Sequence, residues 1–189
     1  MFGDKFRNHL TINKLAELLQ STHSITGVDR ICSPFHLVRW FIAGGRRQGA
    51  VEPDGFNAAL RKMETIENKC ERYTAYINKY CHNDVHEHNI IENKRGVFQL
   101  IDWEISGIGN IFFDFAKLSS IYSYSDEEDR LLLERYFGYY EDEFTSLMCD
   151  MKYMNILLTA CWTLLHQEVK PEDYPEFINI CLSQLKKDI

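Results

Sequence analysis

Four residues in one short segment have the types and spacing that phosphoryl transfer requires: His82, Asp84, Asn89 and Asp102. This chemistry needs a carboxylate near the acceptor hydroxyl and oxygen ligands that hold Mg²⁺ against the nucleotide phosphates. In one known arrangement an Asp takes the hydroxyl proton, an Asn five positions later binds metal, and a second Asp further along binds the bridging Mg²⁺. Asp84 and Asn89 are five positions apart, and Asp102 lies eighteen positions after Asp84. The spacing therefore indicates a site for phosphoryl transfer from a nucleotide.

A β-hairpin is expected between Asn89 and Asp102. Two short apolar runs, 89–92 and 97–101, flank the turn-forming residues 93–96, which end in a glycine that can take a positive φ. Such a hairpin returns the chain and brings Asp102 back beside Asn89.

Three histidines in the same segment, His82, His86 and His88, allow a different interpretation, a zinc site. Zinc would need a further ligand and an open position for water, and nothing downstream clearly supplies them. The simpler interpretation is that His86 and His88 are solvated loop residues.

The remaining sequence predicts mostly helices, connected by short turns. Thr11 is expected to cap the first helix, and Ser33-Pro34 to start a second that stops at Gly44-Gly45. Ser125 with Glu128 forms the pattern of a capping box. The other expected helices run from about 54 towards 77, over 113–122, over 126–139, over 141–169 as two helices or one bent helix ended by Pro171, and over 175–187.

Composition places the chain among ordinary globular proteins. Its 189 residues, 45% hydrophobic and 26% charged, predict a single domain over 1–189. The net charge of −7 disfavours nucleic acid and favours a cationic substrate. The absence of a signal peptide and of a long apolar run predicts a cytoplasmic protein without membrane insertion. Six cysteines without a CxxC pair are expected to be reduced core thiols.

At the level of whole motifs, HNDVHEHNII followed by LIDWEISGIGNIFFDFAKLS resembles the choline and ethanolamine kinases. These are a branch of a larger group that includes aminoglycoside and thiamine kinases. The resemblance extends to residues 15–25, 33–56, 125–138 and 160–168. Asn83 favours a choline kinase, since the antibiotic kinases usually carry Gly there, whereas the DVH and DWE residues also suit a thiamine kinase.

The resemblance implies a mainly α (α+β) fold, the C-terminal large lobe of a protein-kinase-like structure, with a short β-hairpin carrying the metal site. The small N-terminal β lobe of the family is expected to be missing. Before Asp84 there is no Gly-rich strand-turn-strand pattern and no Lys placed inside a strand. Gly3 is interpreted as a remnant of the stretch that joins the two lobes.

Roles at the phosphate end follow from the same resemblance. It implies that Asp84 is the general base, that Asn89 and Asp102 bind Mg²⁺, and that ATP is the co-substrate. Glu104 is expected to touch a second metal or the ammonium group of the substrate, with a solvated acidic residue as the alternative.

Two further residues are given supporting roles. His82 is expected to support the loop. Asp114 resembles the Asp that holds the catalytic loop's backbone in these folds, with a plain helix cap as the alternative.

A quaternary ammonium group is best bound by aromatic faces, because it has no hydrogen-bond donor. Trp162 is the first candidate, because the family places a choline-facing Trp in this late helix, and Tyr122 and Tyr124 are the second. The family's Gln four residues later is His166 here, and its companion Trp one turn earlier is Thr159. The alternative for Trp162 is a core aromatic residue.

The expected function is an ATP-dependent phosphotransferase that acts on choline or ethanolamine. A thiamine or aminoglycoside kinase is the runner-up. A second class stays open, in which the chain is a catalytically incomplete large lobe that binds substrate weakly, pairs with a separate N-lobe or serves only as a folded remnant. The expected protein partner is a second copy of the chain, as a homodimer, or the missing N-lobe.

Overall fold

The computed structural model describes residues 8–166 and 174–187, and in these ranges the chain is mostly helical with two small antiparallel sheets. The mainly α prediction is confirmed. The helices are α1 (His9–His23), α2 (Pro34–Arg47), α3 (Phe56–Cys70), α4 (Thr74–Ile77), α5 (Ile111–Tyr122), α6 (Asp126–Phe137), α7 (Asp142–Leu165) and α8 (Tyr174–Lys187). The strands are β1 (Lys79–Cys81), β2 (Ile90–Glu92), β3 (Phe98–Leu100) and β4 (Gly107–Gly109).

The chain forms two compact units. The first unit comprises Met1–Cys32 and Ala75–Lys152, and the second comprises Ser33–Thr74 and Tyr153–Ile189. A single domain over 1–189 stays a prediction.

The first unit packs around aromatic side chains. Helix α1 lies against α6, β1 and β3, and α5 lies against β1. The rings of Phe112, Phe115 and Phe144 are fully buried, and Phe137 stacks on Phe144 with 4.1 Å between ring centroids. Burying such rings is a large apolar contribution to stability. Helix α1 contacts one strand of each short sheet, β1 and β3, and α5 contacts β1.

Capping residues set two helix starts in the first unit. Helix α1 begins three residues earlier than predicted, because Asn8, and not Thr11, is its cap: the Asn8 side chain accepts a hydrogen bond of 2.9 Å from the Thr11 N–H. The predicted capping box of α6 is confirmed, since Ser125 and Glu128 each bind the other's backbone N–H.

The second unit departs from the sequence prediction at Gly44-Gly45. Ser33 and Pro34 start α2 as predicted, but the helix continues through both glycines to Arg47. Both glycines are buried, and a Cβ on Gly44 would stand 2.6 Å from Leu165 Cδ1. The glycines therefore allow close packing of side chains from α7 and do not end the helix.

The other helix predictions were correct in place but not always in extent. The third predicted helix divides, because α3 ends at Cys70 and α4 is a separate turn. Residues 142–165 form one helix, α7. The predictions for Gly3 and Pro171 lie outside the described residues. Five cysteines are buried free thiols, as expected, and Cys149 is exposed. Within the described ranges, no helix has the length and hydropathy needed to span a bilayer.

Candidate active site

The loop from His82 to Asn89 follows β1, and a single carboxylate fixes its first two residues. Asp114 on α5 is fully buried and accepts hydrogen bonds from the backbone N–H groups of His82 (2.9 Å) and Asn83 (2.7 Å). A third contact joins its Oδ2 to His23 Nε2 at 3.0 Å. Asn110, not Asp114, caps α5. Asp114 therefore contacts the loop backbone, as the resemblance implied, and not its own helix end.

The His82 side chain links this loop to the residue before Asp102. Its Nε2–H donates to the Ile101 carbonyl at 2.9 Å, which leaves Nδ1 to accept the Asp84 N–H at 3.3 Å. The imidazole is completely buried and meets the Trp103 ring edge to face at 4.7 Å. It is thus placed to support the loop and has no exposed atom for substrate.

Asn83 adds a second link, which the sequence did not predict. Its backbone has a positive φ of 68°, a conformation that Asn tolerates better than most residues. Its side-chain amide donates to the carbonyls of Cys32 and Ile105, each at 2.8 Å. His82 therefore contacts the residue before Asp102, and Asn83 contacts the residue after Glu104.

Asp84 and Asn89 lie side by side. The Asn89 amide donates to the Asp84 carbonyl at 2.9 Å and to its carboxylate Oδ2 at 3.2 Å. Because Nδ2 makes both contacts, the Oδ1 atom of Asn89 takes part in neither. The Asp84 side chain is 31% exposed, so its carboxylate can meet a substrate hydroxyl.

The hairpin predicted between the two metal-binding candidates is present. Strands β2 and β3 pair with Ile90 opposite Leu100, and the next bond runs from the Ile101 N–H to the Asn89 carbonyl at 3.0 Å. Gly96 in the turn has φ of 75°. Asp102 follows directly, exposed and with φ of 64°. The hairpin therefore returns the backbone of Asp102 to the neighbourhood of Asn89.

Asn89 and Asp102 offer oxygen atoms, which suit a hard cation such as Mg²⁺. Glu104 is also exposed. The zinc interpretation gains no support: within 8–166 and 174–187, the one group of three His, Cys, Asp or Glu side chains close enough to share an ion is buried His23, Cys81 and Asp114.

The match to known proteins agrees with this geometry. Residues 12–148 match the model of the phosphotransferase enzyme family (APH). The chain belongs to this family. No curated protein matches its sequence significantly.

Solved structures share the fold at low sequence identity. The choline kinase LicA from Streptococcus pneumoniae aligns with a TM-score of 0.74 and 20% identity over 95% of this chain and 63% of LicA. A choline/ethanolamine kinase family protein from Mesorhizobium loti gives 0.78 and 19% over 98% of this chain and 64% of its own. The ethanolamine kinase of Plasmodium vivax gives 0.68 and 18% over 98% and 60%. This chain thus spans less than two thirds of each.

The sequence analysis missed two side chains that contact the Asp84 carboxylate. Lys117 Nζ lies 3.2 Å from Asp84 Oδ1, and His86 Nε2 lies 3.3 Å from Oδ2. The expectation that His86 is a solvated loop residue was wrong for this reason, whereas His88 is exposed as expected. Helical spacing held a signal for Lys117, since it lies three positions after Asp114 and faces the same side of α5.

The second candidates for the cation site, Tyr122 and Tyr124, are buried, with 5% and 8% of their surfaces exposed. The Tyr122 hydroxyl donates to Glu87 Oε2 at 3.4 Å. Burial, and then the Glu87 charge, raises the pKa of Tyr122 far above its usual value, so the hydroxyl stays protonated. Most of the surface of each ring is therefore covered. The Tyr122 hydroxyl contacts the loop from His82 to Asn89 through Glu87.

The first candidate, Trp162, belongs to the second unit. It is 51% exposed, so it is not the core aromatic residue of the alternative interpretation. His166 stacks on its ring with 4.3 Å between centroids and 29° between planes. A choline-facing role for Trp162 stays a prediction.

Proposed function

We propose that the chain carries the acceptor-activating part of an ATP-dependent phosphotransferase of the choline/ethanolamine kinase type. The observation that carries this proposal is the Asp84 carboxylate, part-exposed and bonded to the Asn89 amide, in a loop that buried Asp114 fixes. A general base needs this combination of accessibility and fixed position.

In the proposed reaction, Asp84 accepts the proton of the substrate hydroxyl while the oxygen of that hydroxyl forms a bond to the γ-phosphorus of ATP. The bond from that phosphorus to the bridging oxygen breaks, and ADP leaves with the electron pair. Asn89 Oδ1 and the Asp102 carboxylate would hold Mg²⁺, which supplies positive charge against the phosphates when bound. Asn89 also keeps Asp84 in place through its amide.

Choline or ethanolamine is the proposed acceptor for three reasons. The neighbouring structures include choline and ethanolamine kinases, and LicA has been solved in complex with AMP. The net charge of −7 attracts a cation. Glu87 and Glu104 place two carboxylates within three positions of Asp84 and Asp102, where an ammonium group can pair with them.

Calorimetry with choline, ethanolamine, thiamine and kanamycin tests the assignment. Choline or ethanolamine should bind most tightly. Choline should also bind better than ethyltrimethylammonium, which has the same cation but no hydroxyl, because a hydrogen bond to a charged group contributes about 1.5–3 kcal/mol. Asp84→Asn should remove most of this advantage.

Asp150→Asn is the matched control, since it neutralises an aspartate of α7 that the proposal does not use. Tighter binding of thiamine would move the assignment to the runner-up. Equal binding of choline and ethyltrimethylammonium by the unaltered chain would contradict the role of Asp84.

A further inference from the structure

The carboxylate of Asp84 has separate partners on its two oxygens. Oδ2 meets the Asn89 amide at 3.2 Å and His86 Nε2 at 3.3 Å, whereas Oδ1 meets the ammonium group of Lys117 at 3.2 Å. The Lys117 side chain is only 20% exposed. An ion pair with this degree of burial is less screened by water and salt than a surface pair.

The position of Lys117 is set by a rigid element. It lies on α5 three positions after Asp114, so both side chains leave the same side of the helix. Asp114 binds the backbone of residues 82 and 83, and Lys117 binds the side chain of residue 84. Phe112, Phe113 and Phe115 of α5 are fully buried, which anchors the helix. One helix therefore holds both the backbone and the carboxylate of the loop.

The charge of Lys117 matters because of what has to approach Asp84. In phosphoryl transfer the acceptor oxygen lies between the base and the γ-phosphate, so two negatively charged groups come within a few ångströms of each other. Their repulsion opposes the approach. An ammonium group fixed on the carboxylate offsets that charge without blocking Oδ2.

We propose that Lys117 is a positioning residue that fixes Asp84 and neutralises its charge towards the phosphate chain. The inference rests on the proposed function and deepens it. It has a second consequence for the acceptor: a cationic substrate is repelled from the Oδ1 side of Asp84. Lys117 therefore strengthens binding of the phosphate chain and weakens binding of the substrate cation. A merely structural role would not change these two affinities in opposite directions.

The ion pair is tested first, by ¹⁵N NMR of lysine side chains. Asp84→Asn should shift the Lys117 ammonium signal and leave that of Lys152 unchanged. Asp129→Asn should do the reverse, because Lys152 Nζ pairs with Asp129 Oδ2 at 2.5 Å. A Lys117 signal that does not respond to Asp84→Asn would overturn the proposal.

The charge effect is tested by calorimetry with magnesium tripolyphosphate and, separately, with choline. Lys117→Met should weaken tripolyphosphate binding by about tenfold and leave choline binding unchanged or tighter. Lys117→Arg should restore tripolyphosphate binding. Lys152→Met is the matched control, since it removes another part-buried lysine paired with an aspartate, and it should change neither affinity.

Each outcome of these binding measurements either supports or overturns the proposed role of Lys117. Weakening of both ligands by Lys117→Met would indicate a structural role and overturn the proposal, as would an unchanged tripolyphosphate affinity or no binding by the unaltered chain. If Lys117→Met lowers the melting temperature strongly, Lys117→Gln takes its place. A chain that binds tripolyphosphate through Lys117 but binds no choline would contradict the proposed acceptor and leave this inference intact.

Discussion

At the scale of single residues, Asp114 organises the loop. Its buried carboxylate accepts two backbone N–H groups and contacts His23, whose other ring nitrogen lies 2.8 Å from the Tyr136 hydroxyl. A buried charge is costly unless several donors satisfy it, and here three do. The side chains of α1 and α6 thus help to define the shape of the loop that carries Asp84.

Trp162 gives a prediction at the same scale. Trp162→Ala should weaken choline binding by roughly 0.5–2 kcal/mol if the ring faces the cation. Trp40→Ala is the matched control, because Trp40 is similarly exposed at 54% and also belongs to the second unit. Calorimetry with choline compares the two variants. Equal effects would show that Trp162 has no special role.

At the scale of elements, the approach of β4 to the chain at residues 30–32 fixes the segment after Asp102. The Ile108 N–H donates to the Arg30 carbonyl at 2.7 Å, and its carbonyl accepts the Cys32 N–H at 3.0 Å. Gly107 lies so close to this crossing that an added Cβ would be 2.8 Å from Arg30 O and 2.9 Å from Cys32 N. Backbone atoms cannot move aside as a flexible side chain can.

Two alanine substitutions test this difference. Gly107→Ala should lower the free energy of unfolding by roughly 1–3 kcal/mol, because the new methyl group meets backbone. Gly44→Ala should stay within about 1 kcal/mol of the unaltered chain, because helix propensity improves and the methyl group meets only the end of the Leu165 side chain. Urea denaturation measures both. A loss for Gly44→Ala as large as that for Gly107→Ala would contradict the argument.

At the scale of the whole molecule, the described residues would supply one side of the nucleotide site that the proposed function requires. Asn89, Asp102 and Lys117 lie on or contact the loop and hairpin of the first unit. Within 8–166 and 174–187 the sheets are the two-stranded pairs β1–β4 and β2–β3. The strands so described serve the loop and the hairpin, and neither sheet adds a Gly-rich phosphate-binding turn.

We therefore expect the 189-residue chain, assayed by itself, to show no measurable choline-dependent consumption of ATP. Each charge-assisted hydrogen bond to the phosphates is worth roughly 1.5–3 kcal/mol, so a site with two or three fewer such bonds than a full phosphate-binding site would bind ATP about 10³-fold or more weakly. A coupled assay of ADP release measures this. Turnover proportional to chain concentration and abolished by Asp102→Ala would contradict the expectation.

The sequence by itself determined the local features of this protein. The five-residue spacing of Asp84 and Asn89 lies within one loop, the hairpin turn needs only residues 93–96, and the capping box needs only Ser125 and Glu128. Each of these depends on neighbours within a few positions, so residue type and spacing are enough to predict it.

Only the tertiary structure decided which distant side chains meet. The His23 contact to Asp114 joins residues 91 positions apart, Lys117 reaches Asp84 from another element, and Gly44-Gly45 stays helical because side chains of α7 pack on it. In each case the deciding partner is remote in sequence and becomes near only when the core has packed. Local propensity is weak compared with such packing, which is why the sequence predicted the spacing of Asp84, Asn89 and Asp102 but not the contacts that His23 and Lys117 make.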